Sequence, residues 1–215
     1  MIEKNVLLFW DSDPVPDGFV RALSHLEMAL PGANVTALND ATAAAFLETA
    51  YGTKHRDAFE ACTLPAMRSD LVRLAWIARH GGLYVDWRYQ PLPRANVLFK
   101  NRFEELTCYR LQIFKRPTIN NAVFLAPAGS PLVAELRDRA FDNVFQRRQG
   151  TVSSLTGPDL FTDHLANMAP ERVKIFGRKY FFDTYFENTE QGQHNFDEAH
   201  WFTQNIFDLS EIYRT

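Results

Sequence analysis

Residues 65–88 read as a helix, a double-glycine stop and a strand joined without a linker, and no other stretch restricts the fold as tightly. Pro65 stands in the first turn, where its missing N–H costs nothing, and Gly81 follows the last turn. Leu71, Leu74, Ala75 and Ala78 make an apolar stripe, while Asp70 and Arg73, three residues apart, share a different face. Beyond Gly81-Gly82, alternation predicts a strand over 83–88. It sets Leu83, Val85 and Trp87 on one side and Tyr84, Asp86 and Arg88 on the other. A helix face bearing an acid and a base is thus followed at once by a strand that delivers another acid.

The rest of the chain supports an α/β reading. Residues 6–10 (Val-Leu-Leu-Phe-Trp) are a short continuous apolar run, as in a buried parallel strand, and acid and proline residues break it at 11–18. Phe19, Leu23, Leu26 and Leu30 have helical spacing and stop at Pro31-Gly32. A second strand spans 35–38, and Asn39-Asp40 cap a helix over 41–49. Strand, helix, strand, helix in this order predicts a mostly parallel central sheet flanked by helices. Further strands are expected at 121–126 and 173–176, and helices at 131–145 and from Gly157 to about Met168. With 215 residues, 46% hydrophobic, 18 Phe and no linker, residues 1–215 read as one domain around one core.

Bulk properties exclude several functions. A net charge of −3 gives no broad basic field, so nucleic acid is not an expected partner and any phosphate contacts should be local. Cys62 and Cys108 lie far apart in sequence and suggest no disulfide framework or zinc site; they read as buried thiols in a reducing compartment. Nothing at the N-terminus resembles a secretory signal, and no apolar run approaches the ~20 residues of a membrane span. The expectation is a cytoplasmic protein, with peripheral membrane attachment and homo-oligomer formation left open.

The block Arg68-Ser69-Asp70-Leu71-Val72-Arg73-Leu74, followed by Gly81-Gly82-Leu83-Tyr84-Val85-Asp86, resembles the signature of the glycosyltransferase family named for its DxD sugar-binding region. That family includes capsule and lipopolysaccharide sugar transferases, yeast outer-chain mannosyltransferases and the glucosylating domains of clostridial toxins. The resemblance is strongest over 64–92, and weaker echoes follow in the family's order. These are Trp10 with the Asp-Pro-x-Pro turn after it, Pro31-Gly32, Asn39-Asp40, residues 126–136, Thr156-Gly157-Pro158 and His200-Trp201.

The resemblance implies a GT-A fold, a Rossmann-like nucleotide-diphospho-sugar transferase domain. It implies transfer of a hexose, with retention, from a nucleotide-sugar donor to a glycan or lipid-linked acceptor in surface polysaccharide synthesis. A noncatalytic nucleotide-sugar-binding or scaffold protein is the alternative. Carried over by position, Asp70 and Arg73 contact the donor sugar and its neighbouring ribose or phosphate, and Tyr84 lies by the ribose. Asp86 is the first acid of the DxD, Trp10 stacks near the base, and His200 and Trp201 cover the diphosphate.

Arg88 departs from the pattern, which places a carboxylate there. A guanidinium stays protonated and has no lone pair for a metal. Three explanations stand. Arg88 neutralises the diphosphate directly, in a metal-independent enzyme; Asp86 alone holds a Mn or Mg ion with the diphosphate and waters; or transfer is lost and Arg88 pairs with Asp86. A literal Asp11-Ser12-Asp13 precedes Pro14 and suits an Asx-type turn better than a metal site. Asp159, an acceptor-side candidate, Asp163-His164, and the group His194, Asp197, Glu198 and His200 lack the spacing of a known metal site.

Overall fold

The computed structural model describes residues 2–11, 14–100, 105–113, 116–166, 168–188 and 212–213. A six-stranded sheet carries the fold, built from β1 (Asn5–Phe9), β2 (Asn34–Leu38), β3 (Gly82–Val85), β5 (Leu106–Ile113), β6 (Arg116–Ala126) and β7 (Val173–Gly177). Its order is β2-β1-β3-β6-β5-β7. β1 pairs in parallel with β2 and β3, β6 pairs antiparallel with β3 and β5, and β7 is parallel to β5. Five strands therefore share one direction and only β6 runs against them, as the mostly parallel reading requires. β4 (Tyr89–Pro91) and β8 (Phe186–Asn188) form a separate antiparallel ribbon.

Helices cover both faces, because strands buried on both sides must pack against a layer on each. On one face lie α2 (Asp40–Tyr51), α3 (Thr53–Ala61), α4 (Pro65–His80), α5 (Pro131–Phe145), α6 (Val152–Leu155) and α7 (Pro158–Leu165). They pack Leu47, Phe59, Leu71, Leu74, Leu136 and Phe161 against Leu7, Tyr84 and Phe124 of the sheet. On the other face, α1 (Asp17–Ala29), the 3-10 helix Pro93–Lys100 and α8 (Arg178–Thr184) cover Val6, Leu8, Leu83 and Val85. Among the described residues no helix is long and apolar enough to cross a membrane.

Local chemistry accounts for the boundaries. Asn39 caps α2 by accepting from Thr42 N, while Thr42 Oγ1 accepts from Asn39 N, a reciprocal capping box. Pro65 and Pro131 open α4 and α5 in the first turn, and Ser130 caps α5. The double glycine is obligatory on two counts. Gly81 and Gly82 have φ of +63° and +103°, and a Cβ on Gly82 would lie 2.2 Å from Asn5 O. The chain can therefore enter β3 beside β1 only without side chains at this point.

Several expectations change. The strand ends at Val85 rather than at residue 88, because Asp86 N turns to Ala122 O and Trp87-Arg88 form a turn closed by Tyr89 N on Asp86 O. Even so, Leu83, Val85 and Trp87 pack on one side of the sheet and Tyr84 on the other. α7 stops at Leu165, short of Met168, and β6 begins at Arg116 instead of Asn121. The sequence reading contained neither α3 nor β5. Cys62 and Cys108 are buried free thiols, and burial pushes the Cys108 thiol up.

Candidate functional site

β1, β2 and β3 run in parallel, so the residues that leave their carboxyl ends, Trp10, Asn39 and Asp86, emerge along one edge. Open α/β sheets bind ligands at this edge, where no strand covers the outgoing loops. The antiparallel β6 arrives from the same side, which sets Asn121 beside the end of β3, next to the residue that accepts from Asp86 N.

Four residues named from the sequence meet there. α4 supplies Asp70 and Arg73 on the side turned toward the sheet, β3 supplies Tyr84, and Asp86 follows it. The Arg73 guanidinium lies over the Tyr84 ring, 4.2 Å from its centroid, and is 3.4 Å from Asp70 Oδ1 and 3.5 Å from Asp86 Oδ1. The guanidinium also makes three hydrogen bonds: Nη1 to Asn121 O at 2.8 Å, Nη2, the nitrogen nearest both acids, to Ser69 Oγ at 2.6 Å, and Nε to Ser69 O at 3.1 Å. The Tyr84 hydroxyl donates to Asp86 Oδ1 at 2.5 Å and lies 3.0 Å from Ser69 Oγ. One cation thus holds two carboxylates and an aromatic ring in a fixed arrangement, as a planar fork of five donors allows.

Depth separates the two acids. Asp70 is only 4% exposed; Asn121 Nδ2 donates to its Oδ1 at 2.8 Å and Thr156 Oγ1 to its Oδ2 at 2.9 Å. Burial pushes its carboxyl up to about 6; the Arg73 charge and the two hydrogen bonds pull it back, and the Asp86 charge adds to the rise. Burial also raises the Tyr84 phenol well above its ordinary range, so the hydroxyl keeps its proton for Asp86. Arg73, 5% exposed, stays protonated: burial opposes its charge, but Tyr84, Asp86 and Asp70 more than compensate. The Asp86 side chain is 24% exposed, which makes it the acid that faces outward. Asp70 uses two of about four lone-pair positions and keeps acceptor capacity for one more donor.

The flanking candidates fall into three groups. Trp10 is half-buried, 6.0 Å from Trp87 and 6.3 Å from Phe19, at the edge the site occupies. Arg88 sits half-buried in the turn two residues past Asp86. His200 and Trp201 lie outside the described residues, as do Ser12, Asp13, His194, Asp197 and Glu198. Asp159 and Asp163 face Arg116 at 3.7 and 3.0 Å, and His164 lies between Glu135 and Arg139, so these acids and this histidine belong to a neighbouring polar face. The network also contains three residues that were not singled out as site residues: Ser69, Asn121 and Thr156. Ser69 and Thr156 fell within quoted motifs. Asn121 is 51 positions from Asp70, and only the antiparallel β6 brings it near.

Asp70 is buried and bonded at both oxygens, a guanidinium occupies position 88, and Asp86 is the acid with outward-facing surface. Among the described residues no three His, Cys, Asp or Glu side chains converge. These residues do not fit a protein-built metal centre, where hard cations take several carboxylate or carbonyl oxygens.

Comparison with known proteins bears on the fold. Residues 16–104 match the family model described as "Glycosyltransferase sugar-binding region containing DXD motif", the family that the 64–92 block resembles. Among solved structures, a PaToxG glycosyltransferase is similar at 17% identity and a TM-score of 0.59, over 79% of this chain and 70% of that one. A glycosyltransferase involved in glycosylation of the major capsid of PBCV-1 is similar at 10% identity and a TM-score of 0.53, over 88% and 95%. The catalytic domain of alpha-toxin from Clostridium novyi superposes less well, at 10% identity and a TM-score of 0.47 over 78% and 73%. No curated protein matches the chain significantly. The fold is that of the GT-A glycosyltransferases. The stretch that matches the sugar-binding family model, residues 16–104, contains α4, β3 and the turn Asp86-Trp87-Arg88.

Proposed function

We propose that this protein transfers a hexose, with retention of configuration, from a nucleotide-diphospho-sugar to a glycan or lipid-linked acceptor in surface polysaccharide assembly. The observation that carries the reading is the Asp70–Arg73–Tyr84–Asp86 cluster at the carboxyl edge of the parallel strands. Asp70 accepts a hydroxyl of the donor sugar through its remaining lone pairs, and Arg73 holds it in place. Asp86, anchored by the Tyr84 hydroxyl, turns its exposed side to the donor, and Trp10 stacks on the base. Arg88 pairs with the leaving diphosphate, since a guanidinium forms bidentate, charge-assisted bonds to phosphate without a cation. Retention needs no single obligatory base, and none is assigned. The position-88 arginine is the observation that favours the second reading, a nucleotide-sugar-binding protein that no longer transfers.

The experiment is nucleoside-diphosphate release from UDP-glucose, UDP-galactose and GDP-mannose, with manganese and with chelator. Release that survives chelator and is lost in both Asp86→Ala and Arg88→Ala is the expected result. Binding without release selects the second reading, and no binding to any of the three refutes both. Arg88→Asp should make release respond to manganese if position 88 takes over the role of the second acid.

A further inference from the structure

Thr156 is fully buried at the end of α6, 86 residues from Asp70 in sequence, and its hydroxyl donates to Asp70 Oδ2 at 2.9 Å. The same hydroxyl is 3.3 Å from Val152 O, one turn back in α6. Its one proton serves the nearer carboxylate, and the backbone carbonyl stands beside it as the more distant acceptor. The next residue, Gly157, leads into α7 and lies so near that an added Cβ would be 3.2 Å from that same oxygen and 3.1 Å from Ser153 Cα. The α6–α7 corner thus offers Asp70 one side-chain donor and brings the Gly157 backbone close against the same carboxylate. On the other side, Asn121 of β6 holds Oδ1. An acid at a helix–sheet interface would otherwise turn toward its nearest counter-charge, Arg73, which it shares with Asp86.

We propose that Thr156 is a positioning residue for sugar transfer: its hydroxyl fixes the Asp70 carboxylate, in its charged form, in the orientation that receives the donor. The proposal rests on the donor-binding reading of Asp70 given above. The charged groups that face Asp70 are Arg73, from its own helix, and Asp86, from the end of β3. β6 and the α6–α7 corner contribute the neutral Asn121 and Thr156. Removing the hydroxyl therefore leaves the surrounding charges unchanged while withdrawing a donor that stabilises the ionised acid more than the neutral one.

The test compares wild type, Thr156→Val and Thr156→Ser on whichever of the three nucleotide sugars turns over, with kcat/KM followed from pH 5 to pH 8.5. In Thr156→Val the acid limb should move up by about one pH unit, the size expected for one lost hydrogen bond to a charged group. Activity would then fall roughly tenfold below the limb and hardly at all on the plateau. Thr156→Ser, which keeps the hydroxyl, should restore the wild-type limb. The carbon-13 carboxyl titration of Asp70, assigned with Asp70→Asn, should show the same upward shift in Thr156→Val alone. A uniform loss of activity at every pH, an unmoved titration midpoint, or a Ser variant that behaves like Val overturns the proposal. Failure of the underlying reading looks different: wild-type turnover is absent, or Asp70→Asn retains it in full.

Discussion

The burial of Asp70 has a thermodynamic consequence that is independent of activity. Its carboxyl rises from 3.8 to about 6, chiefly because burial disfavours the charge. At 1.36 kcal/mol per pH unit, ionising it in the folded protein opposes stability by about 3 kcal/mol. The sign follows from proton counting: between these two values the folded state binds more protons than the unfolded chain, so this contribution weakens the fold as pH rises. It is absent well below 3.8, grows through the window and is complete above about 6. Asp70→Asn keeps the size and shape of the side chain but has no proton to lose. The difference in unfolding free energy, variant minus wild type, should therefore increase by about 1.3 kcal/mol between pH 5 and pH 7, then level off. Urea denaturation followed by the fluorescence of the four tryptophans, at half-unit pH steps, measures it. The absolute offset between the two proteins is not at issue, since Asn also weakens the contact with Arg73. A flat difference would mean that Arg73, Asn121 and Thr156 fully compensate for burial, and a decreasing one that pairing dominates. Either result refutes the reasoning.

Other expectations follow from the same geometry. Gly82→Ala pushes a Cβ to 2.2 Å from Asn5 O on the adjacent strand and should destabilise by more than about 4 kcal/mol, read as insoluble expression or a collapsed Tm. Gly52→Ala is the control: its φ is +91° and ψ 167°, a glycine-favouring conformation, but nothing lies within 4 Å, so only the backbone term of about 1–3 kcal/mol should appear in the same assay. Tyr84→Phe deletes the hydroxyl that holds Asp86 Oδ1, which should cost about 1–3 kcal/mol in chemical denaturation and raise KM for the donor more than it lowers kcat.

The sequence carried the parts of the fold whose signals are local. α4 and α5 run between the residues expected, Pro65 to His80 and Pro131 to Phe145, because each has proline in its first turn and an apolar stripe that sets its length. α3 escaped notice because only Ala58 and Phe59 of its nine residues are buried, too few to show a helical period. In β5 the register shifts between Thr107 and Tyr109, which interrupts the alternation that identifies a strand. The site divides in the same way. Asp70, Arg73, Tyr84 and Asp86 lie within 17 residues, so one helix and one strand suffice to bring them together. Asn121 and Thr156 reach Asp70 through the reversed β6 and the α6–α7 corner, and no spacing in the sequence encodes those contacts.

Charge counting links that geometry to the substitution at position 88. With Asp70 and Asp86 ionised and Arg73 protonated, the buried cluster carries a formal charge of −1. A carboxylate at position 88 would bring it to −2, the charge that one divalent cation cancels before a diphosphate can approach. If Arg88 faces the donor as proposed, arginine brings it to zero with no added ion. On the proposed reading, the arginine that stands where the family pattern has an acid also removes the repulsion that a metal would have had to overcome. On this argument Arg88→Asp alone should weaken donor binding severely in chelator and recover it in manganese. Isothermal titration with UDP-glucose, UDP-galactose and GDP-mannose decides the matter, and equal affinity of the variant with and without manganese would refute it.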